Sequence, residues 1–214
     1  MRHVFSGLLA AAVAVAAYAT PASADLIYTL NAGAFSPGPF GTVELSQDGT
    51  NRVKVEVDLA PGVGFVNTGA GKPLLFNITG NPAISITNLT SPFGIGNTAS
   101  GDSIHTGGAG NFEYDITCGT NACGTGGNQP NRGPLEFDVT ALGLTPEDFD
   151  SNGTAFFAAD ICRDVTSNDH CLEGNNTGVV YAGGPPTTEV PEPAALLILS
   201  AGLAGLGVMR RRAA

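Results

Sequence analysis

The chain has 214 residues, with 9 Lys and Arg against 19 Asp and Glu, a net charge of −10, 30 glycines and no tryptophan. Within residues 25–190 the imbalance sharpens to 5 basic against 18 acidic residues, a net of −13, so nucleic acid and anionic membrane surfaces are poor partners. That stretch is one domain's worth of chain and long enough to bury a real core.

Residues 1–24 read as a signal peptide. Arg2 supplies a positive charge, residues 4–19 form an apolar run broken only by Ser6, Gly7 and Tyr18, and Pro21 ends any helix. Ala22-Ser23-Ala24 then offers small residues at both cleavage subsites, Ala22 and Ala24, so signal peptidase is expected to cut before Asp25. The rival is a retained N-terminal anchor helix.

The 25–183 segment reads as an extracellular domain built from strands. Residues 52–59 alternate without a fault, with Val53, Val55, Val57 and Leu59 on one face and Arg52, Lys54, Glu56 and Asp58 on the other. This is a half-buried antiparallel strand with a wet charged face. Turn residues 47–51 precede it and residues 41–45 precede those, which predicts a hairpin. Further strands are predicted at 26–31, 74–79, 83–88, 112–117, 135–140, 154–162 and 178–182. Stretches 93–111 and 119–133, rich in Gly, Asn, Pro and Thr, are expected to be loops. Thr145-Pro146-Glu147-Asp148 carries the signals of one helical turn, with Thr145 as N-cap, Pro146 at N1 and Asp148 in the acidic place of a capping box. The expected fold is all-β: an antiparallel, jelly-roll-like β-sandwich with long Gly/Asn-rich loops, flanked by the N-terminal signal helix and a C-terminal transmembrane helix.

Several side chains are candidates for chemistry. Cys118, Cys123, Cys162 and Cys171 are even in number and exported, which reads as two disulfides. Three connectivities are open; proximity favours Cys118–Cys123 and Cys162–Cys171, and a zinc site with His170 beside Cys171 is the competing reading. Asp148, Asp150 and Asn152 open a D-x-D-x-N-G calcium loop, in which hard oxygens alternate before a glycine turn. The twelfth position is Ala159, where calcium wants a bidentate Glu, so an Asx-rich turn is the plainer reading and no cofactor is expected apart from a possible Ca2+. Asp102, Ser103 and His105 supply residue types of a catalytic triad, yet adjacency in sequence is not geometry, and the domain is expected not to be an enzyme. Tyr28, Tyr114 and Tyr181 are candidate stacking residues for a glycan, although each falls in a predicted strand, where core packing is the ordinary role. The sequons at Asn77, Asn88, Asn152 and Asn175 are expected by chance in so Asn- and Thr-rich a chain.

Residues 184–189 form an expected linker, and 190–214 a membrane tail. Val190-Pro191-Glu192-Pro193 is followed by an uncharged stretch, 194–209, whose sole polar side chain is Ser200, and then by Arg210-Arg211-Arg212. Sixteen helical residues span roughly 24 Å, short of a hydrocarbon core of about 30 Å, a gap that arginine snorkelling and local thinning can close. The arginines belong on the cytoplasmic side and the domain outside. A plain single-pass anchor and a GPI signal are the rivals.

The Pro191-Glu192-Pro193 box, the Leu/Ala/Gly-rich helix and the Arg210, Arg211, Arg212 cluster together resemble the PEP-CTERM sorting signal of Gram-negative bacteria. The resemblance is confined to the tail. It implies recognition and cleavage by exosortase, transient anchoring in the inner membrane, release to the cell surface or extracellular matrix, and association with exopolysaccharide. It implies nothing about the chemistry of the domain.

Overall fold

The computed structural model describes residues 24–68, 72–99, 103–119, 123, 129–172 and 176–189. The signal peptide apart from Ala24, and the 190–214 tail with its expected transmembrane helix at 194–209, lie outside the described residues. Among those described, no helix is long and apolar enough to cross a membrane. Residues Asp25–Glu189 form one compact unit.

Its strands in chain order are β1 (Asp25–Leu30), β2 (Ala32–Gly33), β3 (Gly41–Gln47), β4 (Arg52–Leu59), β5 (Gly64–Phe65), β6 (Leu74–Ile78), β7 (Ser85–Thr87), β8 (Phe93–Ile95), β9 (Ile104–Thr106), β10 (Gly110–Phe112), β11 (Tyr114–Cys118), β12 (Leu135–Thr140), β13 (Phe149–Asp150), β14 (Phe157–Cys162), β15 (Thr177–Ala182) and β16 (Thr187–Glu189). A single 3₁₀ turn, Pro146–Asp148, precedes β13. One sheet runs β16-β1-β3-β4-β12-β7. The other runs β2-β15-β14-β6-β11-β8, with β5 added on β14 and β13 on β6. Every pairing is antiparallel.

The β4 alternation explains the first sheet. Val53, Val55 and Val57 are wholly buried, and their neighbours across β3 and β12 (Val43, Leu45, Leu135, Phe137, Val139) continue the same inner face. Arg52, Lys54 and Glu56 stay half-exposed on the outer face, where water solvates them. There the register sets Glu44, Glu56 and Glu136 side by side, an arrangement of like charges that Lys54 offsets from 2.9 Å (Glu56) and 3.5 Å (Glu136). The two sheets face each other across an aromatic core. Tyr28 of the first sheet meets Phe157 of the second at 5.0 Å between ring centroids, and Phe137 meets Phe76 at 6.1 Å.

The second sheet is covered on both faces at its centre. All six residues of β14 are buried: on its outer side Ala158 packs in a cluster with Ala109 and Phe112 of the β9–β10 hairpin, and Asp160 is covered by Thr68. Ala109 and Phe112 of that hairpin pack on Leu75, Ala155 and Ala158 to make a second, smaller core. Asn152 clips the hairpin down. Its Nδ2 donates to the Ala109 and Asn111 carbonyls at 2.8 and 3.0 Å, while its Oδ1 accepts from the N–H groups of Thr154 and Ala155.

Several boundaries differ from the sequence-based expectations, each for a local reason. The stretch expected as loop over 93–111 contains β8, β9 and the start of β10; strands of three residues are too short to display a period of two. The strand expected at 112–117 is split at Glu113, whose N–H is taken by the Asn77 side chain at 2.8 Å. The strand expected at 154–162 begins only at Phe157, because Asn152 holds Thr154 and Ala155 in a turn. The 184–189 linker is a linker only in part: Thr187–Glu189 is β16, paired with Asp25–Ile27, so the folded domain continues past residue 183 to Glu189. The predicted turn at Thr145 is present, with the Thr145 N–H and hydroxyl both donating to Asp148 Oδ2 at 2.8 and 3.1 Å.

Candidate functional site

Two places on the domain are candidates for a role beyond packing. The first is the corner where the described chain enters and leaves. Ala24 directly precedes β1, and Asp25 pairs with Glu189, the last residue of β16. The expected signal cleavage point and the start of the sorting tail therefore leave the domain from opposed positions on neighbouring strands.

The second is a cleft of about 480 Å³ on the outer face of the second sheet. Its floor comes from Asp160 of β14 with Gly178, Val179 and Tyr181 of β15; its walls are Gly33 and Ala34 on one side, Thr68 and the Gly107–Gly108 turn of the β9–β10 hairpin on the others. Backbone geometry makes the walls thin. Gly33 has φ +110° and lies against Val179 and Val180, so a side chain there has no room. At Gly107, on the hairpin side of the lining, an added Cβ meets nothing within 4 Å.

Asp160 organises this floor. It lies in an apolar run, is fully buried, and accepts hydrogen bonds from the Thr68 N–H (2.6 Å) and from the Thr68 hydroxyl, which reaches both carboxyl oxygens at 2.7 and 3.0 Å. Its backbone also binds both ends of the 66–72 segment, accepting from the Val66 N–H at 3.0 Å and donating to the Lys72 carbonyl at 2.8 Å. Burial disfavours the ionised form and pushes the carboxyl up from 3.8 to about 6, although the two Thr68 hydrogen bonds pull the other way. The Thr68 hydroxyl proton points at Asp160, which leaves the hydroxyl oxygen as an acceptor for whatever enters the cleft.

The residues singled out from sequence fall in several places. Cys118 is bonded to Cys123 and Cys162 to Cys171, the two short-loop pairings. Asp148 is engaged by Thr145, Asp150 Oδ1 accepts from the Ser151 N–H at 2.7 Å, and Asn152 clips the hairpin, so the three side chains serve three separate local contacts. Among the described residues no three His, Cys, Asp or Glu side chains gather as a metal-binding group. His105 is exposed on β9 and its Nδ1 meets Asn111 Oδ1 at 2.7 Å; His170 is exposed in the loop closed by the second disulfide, and Asp102 lies outside the described residues. Tyr28 and Tyr114 are core residues, 2 % and 0 % exposed, and burial raises both phenols to about 12. Tyr181 alone of the three reaches the cleft. Pro191, Glu192, Pro193, Arg210, Arg211 and Arg212, together with Ala22, lie outside the described residues.

Asp160 and Thr68 did not stand out in the sequence. The available signal was a lone acid inside the apolar run Phe157-Ala158-Ala159-Asp160-Ile161-Cys162, where no wet face is marked.

No curated protein and no solved structure matches the chain. Residues 189–212 match the family model described as the PEP-CTERM protein-sorting motif, so the C-terminal tail of this chain carries that sorting signal.

Proposed function

We propose that this chain is an exported, non-enzymatic protein of the cell surface or extracellular matrix, delivered by its tail and trimmed at both ends. The observation that carries this reading is the sorting motif at residues 189–212. Signal peptidase removes residues 1–24, the tail holds the intermediate in the inner membrane, and exosortase cuts near the Pro191-Glu192-Pro193 box. The domain then joins the exopolysaccharide-rich exterior. Several features support this. The first strand starts at Asp25, the residue after the Ala22-Ser23-Ala24 site. Two disulfides belong to an oxidising compartment. The acidic surface keeps the domain soluble and away from anionic headgroups. The non-enzymatic reading is supported by His105, whose ring bonds the Asn111 amide on an exposed hairpin strand and not a nucleophile.

Mass spectrometry of the protein recovered from the cell exterior tests the reading. The expected form starts at Asp25 and ends at or near the Pro-Glu-Pro box, and cells lacking exosortase should accumulate a membrane-bound form that keeps Arg212. A surface form with Arg212 intact in normal cells overturns processing of the tail.

A further inference from the structure

We propose that the cleft between Tyr181 and the Gly107–Gly108 turn is a binding site for a neutral saccharide, with one sugar ring seated on the Tyr181 side and its hydroxyls met by Thr68 and the glycine backbone. At about 480 Å³ the cleft lies within the range of about 300–1,000 Å³ usual for small-ligand sites. Its lining is amphipathic in the way a sugar is. Val179 and the Tyr181 ring offer an apolar floor for ring C–H groups, and the phenol, the Thr68 hydroxyl oxygen and the backbone of the Gly107–Gly108 turn offer polar contacts around it. The Gly107–Gly108 turn carries no side chain, and an added Cβ at either glycine meets nothing within 4 Å.

Charge selects against other ligand classes. Among the described lining residues there is no Lys or Arg, and the domain around them carries a net −13, so phosphates and uronic acids are repelled. Among the described lining residues Asp160 is the single acid, too few hard ligands to hold a divalent cation. Its carboxyl fixes the Thr68 hydroxyl by accepting the proton, which orients the oxygen as an acceptor for a sugar O–H. Of the three tyrosines that suit stacking, Tyr28 and Tyr114 are sealed in the core, which leaves Tyr181. The proposal rests on the exported reading above only for the presence of glycans where the protein works; the cleft belongs to the domain itself.

The test uses the processed protein with both disulfides intact, applied to an array of neutral hexose, N-acetylhexosamine and uronate oligosaccharides and then titrated with the best neutral glycan by NMR. Two variants read the site. Tyr181→Ala removes the platform. Gly107→Tyr adds a bulky side chain to the lining at a position where the glycine backbone is not left-handed and an added Cβ meets nothing. The expected result is binding to neutral glycans and not to uronates, weakened about tenfold or more by each variant, with the unfolding midpoint of Gly107→Tyr unchanged. Absence of binding by the folded parent, preference for uronates, or undiminished affinity in Gly107→Tyr overturns the proposal. Failure here leaves the sorting reading untouched, because that reading stands on the chain ends found by mass spectrometry.

Discussion

Replacing Asp160 by asparagine should make the domain more stable at neutral pH and no more stable in acid. The parent carboxyl is fully buried and its pKa stands at about 6, against 3.8 ordinarily. A carboxyl that is harder to ionise in the fold than in the unfolded chain favours the fold fully below pH 3.8, and this advantage drains away as pH rises through about 6. At about 1.4 kcal/mol per pH unit, the ionised domain is less stable than the protonated one by about 3 kcal/mol from this group. Asparagine keeps the geometry: its Oδ1 can accept the Thr68 N–H and its Nδ2 can donate to the Thr68 oxygen, with no charge to bury. Urea unfolding of parent and Asp160→Asn, measured from pH 4 to pH 8, isolates the effect, since every other carboxylate titrates in both proteins. The difference in unfolding free energy should be near zero at pH 4 and grow to about 1–3 kcal/mol in favour of the variant above pH 7. A difference that does not change with pH, or a variant that is weaker at pH 8, would refute the reasoning and show Asp160 to be a stabilising anion.

Other outcomes follow from the same structure. Asn152→Asp turns a donor facing the Ala109 and Asn111 carbonyls into an acceptor; about 1–3 kcal/mol should be lost, with faster amide exchange across β9 and β10 than across β4. Converting Cys162 and Cys171 together to serine opens a loop of nine-residue separation and should cost about 2–3 kcal/mol in chemical denaturation. Lys54→Met leaves Glu56 and Glu136 adjacent without the cation they share; the loss should stay below about 1 kcal/mol, since Lys54 is 38 % exposed, and should fade as salt is raised towards about 1 M. Ending the chain at Pro186 instead of Glu189 removes β16 and uncovers the edge of β1, which should lower the thermal midpoint at a cost of about 1 kcal/mol; equal midpoints would mean that β16 contributes nothing.

The parts of the fold that were legible in the sequence are those with long, unbroken patterns. Residues Arg52–Leu59 announced themselves because eight residues alternate and each face meets a different solvent. Thr145, Pro146 and Asp148 were legible because capping chemistry is local. β14 was harder to delimit, since both of its faces are buried and the alternation that marks a one-sided strand is absent. β9 and β10 were invisible for a related reason: their place is set by Asn152 and Phe112 packing on distant strands, and three residues carry no period of their own. The cleft was hidden because its parts (Gly33, Thr68, Gly107, Asp160, Tyr181) come from five separated stretches. Of them the sequence offered only Tyr181 as a candidate, together with two tyrosines that turn out to be core. The tail, by contrast, is a linear signal and needs no fold to be read.

The pairing of Asp25–Ile27 with Thr187–Glu189 also decides how the domain bears force. Any pull transmitted along the chain beyond Glu189 enters through a three-residue strand at the margin of a sheet, while β1 behind it is flanked by β3 over five paired positions. The short strand is the weak link and should peel residue by residue, releasing three residues, roughly 10 Å of extended chain, before the aromatic core feels the load. While the tail remains attached, the β16–β1 pairing is thus the first contact that a pull on the C-terminal end would load, and re-pairing of β16 with β1 would restore it.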